Sequence, residues 1–150
     1  LWIIWNNENQ GEMEKRKIER VEDMPVFQAC FALALNIEKD SRAFAVDFKW
    51  LRGQMLRSSE SVCANMTEGF YSQYSTEYLQ ALYRCRREGR ETMTHVRYSM
   101  AIKQLSDEKG RALTEGYDIA LTQLANLIAS IDRKILQRGK AKAARQSNSS

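Results

Sequence analysis

The residues whose types could support catalysis or metal binding are few and scattered. The single histidine, His95, falls outside the apolar stripe of a helical pattern, so we expect an exposed side chain rather than a ligand or a base. A metal site in a helical bundle needs several inward carboxylates or a Glu-x-x-His motif, and neither accompanies His95. The sequence therefore predicts no metal site.

The remaining nucleophiles also lack the partners that catalysis needs. The serines of "SSES", residues 58–61, have no histidine partner and no nucleophile elbow, and the chain has no Gly-rich phosphate loop. We therefore predict no catalytic residue, no cofactor and no enzymatic activity. The cysteines Cys30, Cys63 and Cys85 are far apart, which favours buried free thiols in a reducing compartment and predicts a cytoplasmic location.

An arginine-rich segment is the strongest candidate for a binding surface. Its basic residues are Arg84, Arg86, Arg87, Arg90, Arg97 and Lys103. On a helix, Arg86, Arg90 and Arg97 share one lateral side, which we call the arginine face. Three interpretations stay open from the residues alone: a solvated face in which Arg87 pairs with Glu91, a subunit interface, or a contact with RNA or DNA.

The end of the chain carries a second group of bases. Lysine and arginine number 23 against 19 acids, and the last residues, "RGKAKAARQSNSS", contribute Arg138, Lys140, Lys142 and Arg145 without an acid. Such a tail attracts phosphate by salt-sensitive electrostatics, but short basic ends are also common as disordered solubilising segments.

Four amphipathic segments with short connections account for most of the chain. They are expected at Asp23–Ser41, 46–70, Ser75–Lys103 and Ser106–Arg138, with Asp23, Ser75 and Ser106 as N-caps. In the first segment the stripe includes Phe31 and Leu35. No convincing strand is found, so we predict an all-α, antiparallel, up-down-up-down four-helix bundle over residues 21–137.

The two ends lie outside this predicted bundle. Residues 1–20 form an N-terminal extension, and residues 138–150 form the basic tail, which we expect to be disordered. The opening run "LWIIW" is far too short for a membrane span or a signal segment, so no membrane partner is expected.

Three stretches resemble a known family. These are "VEDMPVFQ", "QMLRSSESVCANMTEGF" and "STEYLQALYRCRREGRE", and the N-x-x-E-G-F pattern in the second is the most specific. They resemble the bacterial four helix bundle protein family, first known from reading frames within intervening sequences of large-subunit ribosomal RNA genes. The matching motif positions, to which we assign structural roles, include Gln54, Arg57, Asn65, Glu68, Gly69 and Phe70.

The resemblance implies a non-enzymatic bundle that assembles with itself into a ring, with five subunits expected. The family is similar to the accessory protein of diversity-generating retroelements, a basic pentameric barrel that binds nucleic acid and a reverse transcriptase. RNA, DNA and a reverse transcriptase are therefore candidate partners. The resemblance favours the subunit-interface and nucleic-acid interpretations of the arginine face over the solvated one.

Overall fold

The structure, a computed structural model, describes the backbone of residues 2–5 and 15–149. Its helices are α1 (Pro25–Asp40), α2 (Lys49–Phe70), α3 (Ser75–Ala101) and α4 (Asp107–Ser147). Short 3-10 helices, Val21–Asp23 and Val46–Phe48, precede α1 and α2. Each long helix packs against two others, α1 and α3 both lying between α2 and α4. The predicted all-α four-helix bundle is confirmed.

A small β-hairpin precedes the bundle, contrary to the expectation that the chain has no strand. Strand β1 (Trp2–Trp5) pairs antiparallel with β2 (Lys15–Ile18), and Trp2 is opposite Ile18. The first strand is the apolar run "WIIW", whose β-branched and aromatic residues favour extended backbone. Its four residues were too few to reveal a strand by periodicity alone.

The N-caps were predicted with mixed success. Ser106 caps α4 as expected, accepting a hydrogen bond from the Lys109 amide at 3.2 Å. Asp23 is not the N-cap of α1, which is Met24; it ends the short helix before α1, and its carboxylate accepts hydrogen bonds from the amides of Glu19 and Arg20 at the start of that helix. Ser75 is the first residue of α3 rather than its cap, so that prediction was wrong by one position.

The core is built from one stripe of each helix. The predicted stripes of α2, α3 and α4 are largely correct, with Leu51, Leu82 and Leu124 fully buried. The prediction for α1 was wrong at two positions, because Phe31 and Leu35 are 49% and 57% exposed, while Leu33 and Ile37 point into the core. Since α1 is apolar over most of its surface, its sequence leaves the buried side undecided.

Two glycines allow α3 to approach its neighbours closely. A methyl group at Gly69 of α2 would collide with the Cβ of Ala81, so the end of α2 can lie against the start of α3 only with glycine there. On the other side of α3, a Cβ at Gly89 would come within 2.8 Å of the Leu121 Cδ2 on α4. These contacts fix α3 between α2 and α4.

Helix α4 is longer than predicted. The sequence suggested an end near Arg138, but the helix continues to Ser147, and every residue from 136 to 147 is exposed. Arg138 donates a hydrogen bond to the Ser75 hydroxyl at 3.2 Å, so α4 passes the start of α3 at this point. Nine further helical residues, about 13 Å at 1.5 Å per residue, therefore project beyond α3.

Candidate nucleic-acid interface

The arginine face lies on the side of α3 that borders α4. Arg90 and Arg97 line a groove of about 600 Å³ between the two helices. The apolar side chains of Met93 and Leu121 also line it, and Met93 is almost fully buried. The groove thus combines exposed guanidinium groups with an apolar lining, a combination that suits an anionic ligand with a flat apolar part.

Arg86 is held near one end of this face by an aromatic ring. Its guanidinium carbon lies 5.1 Å from the centroid of the Tyr83 ring, within the range of a cation–π contact. Such a contact restrains the side chain but leaves its charge in place. Arg86 is therefore partly ordered before any ligand binds.

The acids of α3 are engaged by a different helix. Arg57 of α2 contacts Glu88 at 3.5 Å and Glu91 at 2.5 Å. The anticipated pair of Arg87 with Glu91 does not form, because the carboxylate of Glu91 is taken by Arg57 and by His95, whose Nε2 lies 3.3 Å away. Partial burial alone would raise the pKa of Glu91, but the hydrogen bonds from His95 and Arg57 lower it below its ordinary value.

This diversion leaves the arginine face without an acidic partner. Within the part of the chain that the structure describes, no carboxylate lies within 4.0 Å of the guanidinium groups of Arg86, Arg90 or Arg97. Arg90 and Arg97 are exposed and Arg86 is half-buried. Their positive charges are therefore available to a ligand.

The other bases of the α3 segment point elsewhere. Arg84 lies on the α2 side, where its Nε donates to the Asn65 side-chain oxygen at 3.0 Å. Arg87 is exposed, and Lys103 follows the end of α3 in a left-handed conformation with φ of 64°. The six basic residues therefore do not form a single surface.

The basic residues of the tail continue the buried stripe of α4. In steps of three and four, Leu124, Ile128, Ile131 and Ile135 are followed by Arg138, Lys142 and Arg145. The side of α4 that packs into the bundle thus becomes basic where the helix leaves it, while Lys140 lies on the opposite side. Arg138 is level with Ser75, about 16 Å along the helix axis from Arg86, so the tail and the arginine face are separate surfaces.

The motif residues mostly join α2 to α3. Asn65 donates to the Ser61 carbonyl at 2.8 Å while accepting from Arg84, and the Phe70 ring meets that of Tyr78 edge-on at 6.2 Å. Glu68 is exposed beside a hollow of about 460 Å³ that Arg84 also lines. Gln54 is exposed on α2.

The α4 side of the groove was not predicted from the sequence. Asp118, Thr122 and Asn126 line it opposite Arg90 and Arg97. These residues recur every four positions, beside the buried stripe, and that spacing is visible in the sequence. What the sequence lacks is the knowledge of which flank of α4 borders α3.

The groups with potential for catalysis occupy different surroundings. Cys30, Cys63 and Cys85 are buried free thiols, as predicted, and burial raises the pKa of Cys30 and Cys85 to about 12 and that of Cys63 to about 11. They are therefore protonated and unreactive near neutral pH. His95 is half-buried rather than exposed. In residues 2–5 and 15–149 no cluster of three or more potential ligands could hold a metal ion.

The fold and this surface define a four-helix bundle with an exposed basic side on α3. The chain belongs to the 23S rRNA-intervening sequence protein family, whose model matches residues 22–126. Among solved structures it is similar to a protein of unknown function from the S23 ribosomal protein family of Bacteroides thetaiotaomicron VPI-5482. The two are 20% identical with a TM-score of 0.63, and the match covers 69% of this chain and 97% of that one, which supports the shared fold.

No curated protein matches the chain. Over the described residues, none of the helices combines the length and apolar character that a membrane crossing requires.

Proposed function

We propose that the protein is a non-enzymatic, homo-oligomeric helical bundle that binds RNA or DNA through the arginine face. The observation that carries the proposal is the division of charge on α3. Arg57 neutralises Glu88 and Glu91 from α2, and the side of α3 towards α4 keeps its arginines unpaired. Arginines with no acidic partner bind phosphate oxygens without first breaking an ion pair.

Self-association strengthens such a surface. The few arginines of one subunit bind a nucleic acid weakly, but several copies on one assembly act together on a single strand. A ring of five subunits, which the family resemblance implied, presents the arginine face five times. The reverse transcriptase suggested by the same resemblance stays a prediction.

Exposed apolar side chains support self-association. Phe31 and Leu35 lie one turn apart on α1, and both are about half exposed. On another side of the bundle, Trp50 of α2 and Tyr98 of α3 are also about half exposed, with ring centroids 6.3 Å apart. Two different patches can join successive subunits head to tail, which is the kind of contact that closes rings.

The self-association is tested by the mass of the particle in solution. A variant with Phe31→Ser and Leu35→Ser should remain helical but fall to a smaller assembly by light scattering, whereas Val46→Ser, at a 74% exposed position in the short 3-10 helix before α2, should not change the mass. An unchanged mass in the first variant would show that α1 is not part of the interface. A monomeric wild-type protein would overturn the oligomeric proposal.

Nucleic-acid binding is tested by neutralising the arginine face. The variant Arg86→Gln, Arg90→Gln, Arg97→Gln should lose most of its affinity for mixed-sequence RNA and DNA at low salt. The control Lys49→Gln, Lys109→Gln, Arg111→Gln removes the same charge from exposed positions in the first two turns of α2 and α4, outside the groove, and should bind nearly as wild type. Equal affinities in the two triple variants would reject the arginine face as the binding surface.

The alternative is an assembly in which these arginines pair with acids of a neighbouring subunit. In that case the same arginine variant should dissociate the oligomer in the absence of any nucleic acid. Light scattering on the samples used for binding therefore separates the two functions.

A further inference from the structure

We infer that the groove between α3 and α4 holds an unpaired base of a single strand and prefers guanine, with the Asp118 carboxylate reading the base edge. This inference rests on the proposed nucleic-acid function and specifies which kind of strand the arginine face takes. The starting observation is Asp118, an acid in the groove whose negative charge would by itself repel the phosphates of a nucleic acid.

Asp118 lies among the arginines of the groove without pairing with them. Leu121 packs against Gly89, and α4 runs antiparallel to α3, so Asp118 lies about 4.5 Å further along, between the levels of Arg90 and Arg97. Across the described residues, no cationic group comes within 4.0 Å of its carboxylate. The side chain is exposed to the groove's solvent.

A free carboxylate in a phosphate-binding groove repels the phosphates. Its presence is favourable only if the ligand offers hydrogen-bond donors close to the anionic backbone. The Watson–Crick edges of unpaired bases offer such donors, and single strands are recognised through these edges.

Guanine is the base that matches a carboxylate best. Its N1–H and N2–H₂ groups are adjacent donors that two carboxylate oxygens can accept together, whereas each other base presents one donor group at the corresponding edge. Adjacent hydrogen bonds to a charged group are the strong ones. The groove would thus prefer guanine over uracil, adenine and cytosine.

The rest of the groove suits the same ligand. Leu121 and Ala125 provide accessible apolar surface against which a base can lie, above the nearly buried Met93, and the Asn126 amide stands further along α4 with both donor and acceptor atoms. Arg90 and Arg97 are seven residues apart, about 10 Å, so they can hold the phosphates on either side of a base. A volume of about 600 Å³ is ample for one nucleotide.

The test compares a short fluorescent oligouridine with the same oligomer carrying one central guanosine. Wild-type protein should bind the guanosine oligomer about tenfold more tightly, as expected for one charged hydrogen-bonded contact. The isosteric variant Asp118→Asn should lose this preference and at the same time bind plain oligouridine more tightly, because a repelling charge is gone. The two affinities should therefore move in opposite directions.

Glu115→Gln is the matched control, since it removes one exposed carboxylate about one turn from Asp118 on the same helix, outside the residues that line the groove. It should keep the preference for guanosine. If Asp118→Asn tightens binding to both oligomers alike, or if the wild type binds both equally, the groove does not read guanine, although the proposed function stands. If neither oligomer nor mixed nucleic acid binds, the proposed function itself fails.

Discussion

Arg57 of α2 reaches Glu91 of α3 across the helix interface, with Nη2 2.5 Å from Oε1. This pair keeps Glu91 away from Arg87, one turn earlier on the same helix, and the same guanidinium also contacts Glu88. A stabilising contact between α2 and α3 thereby determines the charge that α3 presents on its other side. The structural and the binding roles of α3 are linked through one arginine.

Removal of Arg57 should therefore affect both roles. Arg57→Gln is expected to lower the free energy of unfolding by about 1 kcal/mol or less, because the pair is half-exposed, and to weaken nucleic-acid binding by freeing two carboxylates on α3. Urea denaturation and binding on the same sample measure the two effects. Arg111→Gln, an exposed arginine on α4, should change neither, and equal losses in both variants would show that the cross-helix pair has no special role.

Gly69→Ala should be strongly destabilising, because the added methyl group would collide with Ala81 where α2 and α3 are closest. We expect a loss of about 1–3 kcal/mol in the free energy of unfolding, as for other overpacked contacts. Gly53 on the same helix is the matched control, since nothing lies within 4 Å of a Cβ there. Gly53→Ala should stabilise the protein by up to about 1 kcal/mol through helix propensity. If both substitutions raised or both lowered the free energy of unfolding, the close approach of α2 and α3 at Gly69 would be contradicted.

The buried thiols should make the fold sensitive to alkali. Their folded pKa values, about 11 to 12, lie above the value of about 8.5 for an unfolded cysteine, so the folded state holds these protons more tightly. The contribution of these thiols to the free energy of unfolding is fully present below about pH 8.5. It is lost as the pH rises towards their folded pKa values, at about 1.4 kcal/mol per pH unit for each thiol.

The comparison of wild type with Cys30→Ala isolates this effect from other titrating groups. Between about pH 8.5 and pH 10 the free energy of unfolding should fall less steeply for the variant than for wild type, by about 1.4 kcal/mol per pH unit. The variant is nevertheless less stable at pH 7, because a buried side chain has been truncated. Urea midpoints at several pH values measure the slope. Parallel pH profiles for the two proteins would show that Cys30 does not titrate differently in the folded state.

The projecting end of α4 carries two lysines, Lys140 and Lys142, whose contributions to nucleic-acid affinity can be compared. Lys142 lies in line with the buried stripe of α4, and Lys140, two residues earlier, lies on the opposite side of the same exposed helical segment. If the side of the tail that carries Arg138, Lys142 and Arg145 contacts the nucleic acid, Lys142→Gln should reduce affinity more than Lys140→Gln in a binding titration at low salt. Identical losses would mean that the tail acts only through its net charge.

The fold was predictable where one side of a helix is clearly apolar. In α4 the spacing from Leu113 to Ile131 leaves one choice of buried side, whereas α1 is apolar nearly all round, and Phe31 and Leu35 were placed in the core by mistake. The tail was predicted to be disordered from its charge, but Lys, Ala and Arg all have high helix propensity, and "KAKAAR" continues α4.

Only the part of the candidate site that lies on α3 could be predicted from the sequence. The arginine face follows from the spacing of three residues on α3. The engagement of Glu91 by Arg57 and the position of Asp118 across the groove depend on which flanks of α2 and α4 meet α3. No pattern within a single helix carries that information.

The most direct test of the arginine face is the salt dependence of binding to single-stranded nucleic acid. For wild type and for the Lys49, Lys109, Arg111 control, the logarithm of the binding constant should fall steeply and equally with the logarithm of the salt concentration. The arginine variant should give a slope smaller by about two for each subunit that contacts the strand, because three phosphate contacts are lost at about 0.7 each. Equal slopes for all three assembled proteins would contradict the account.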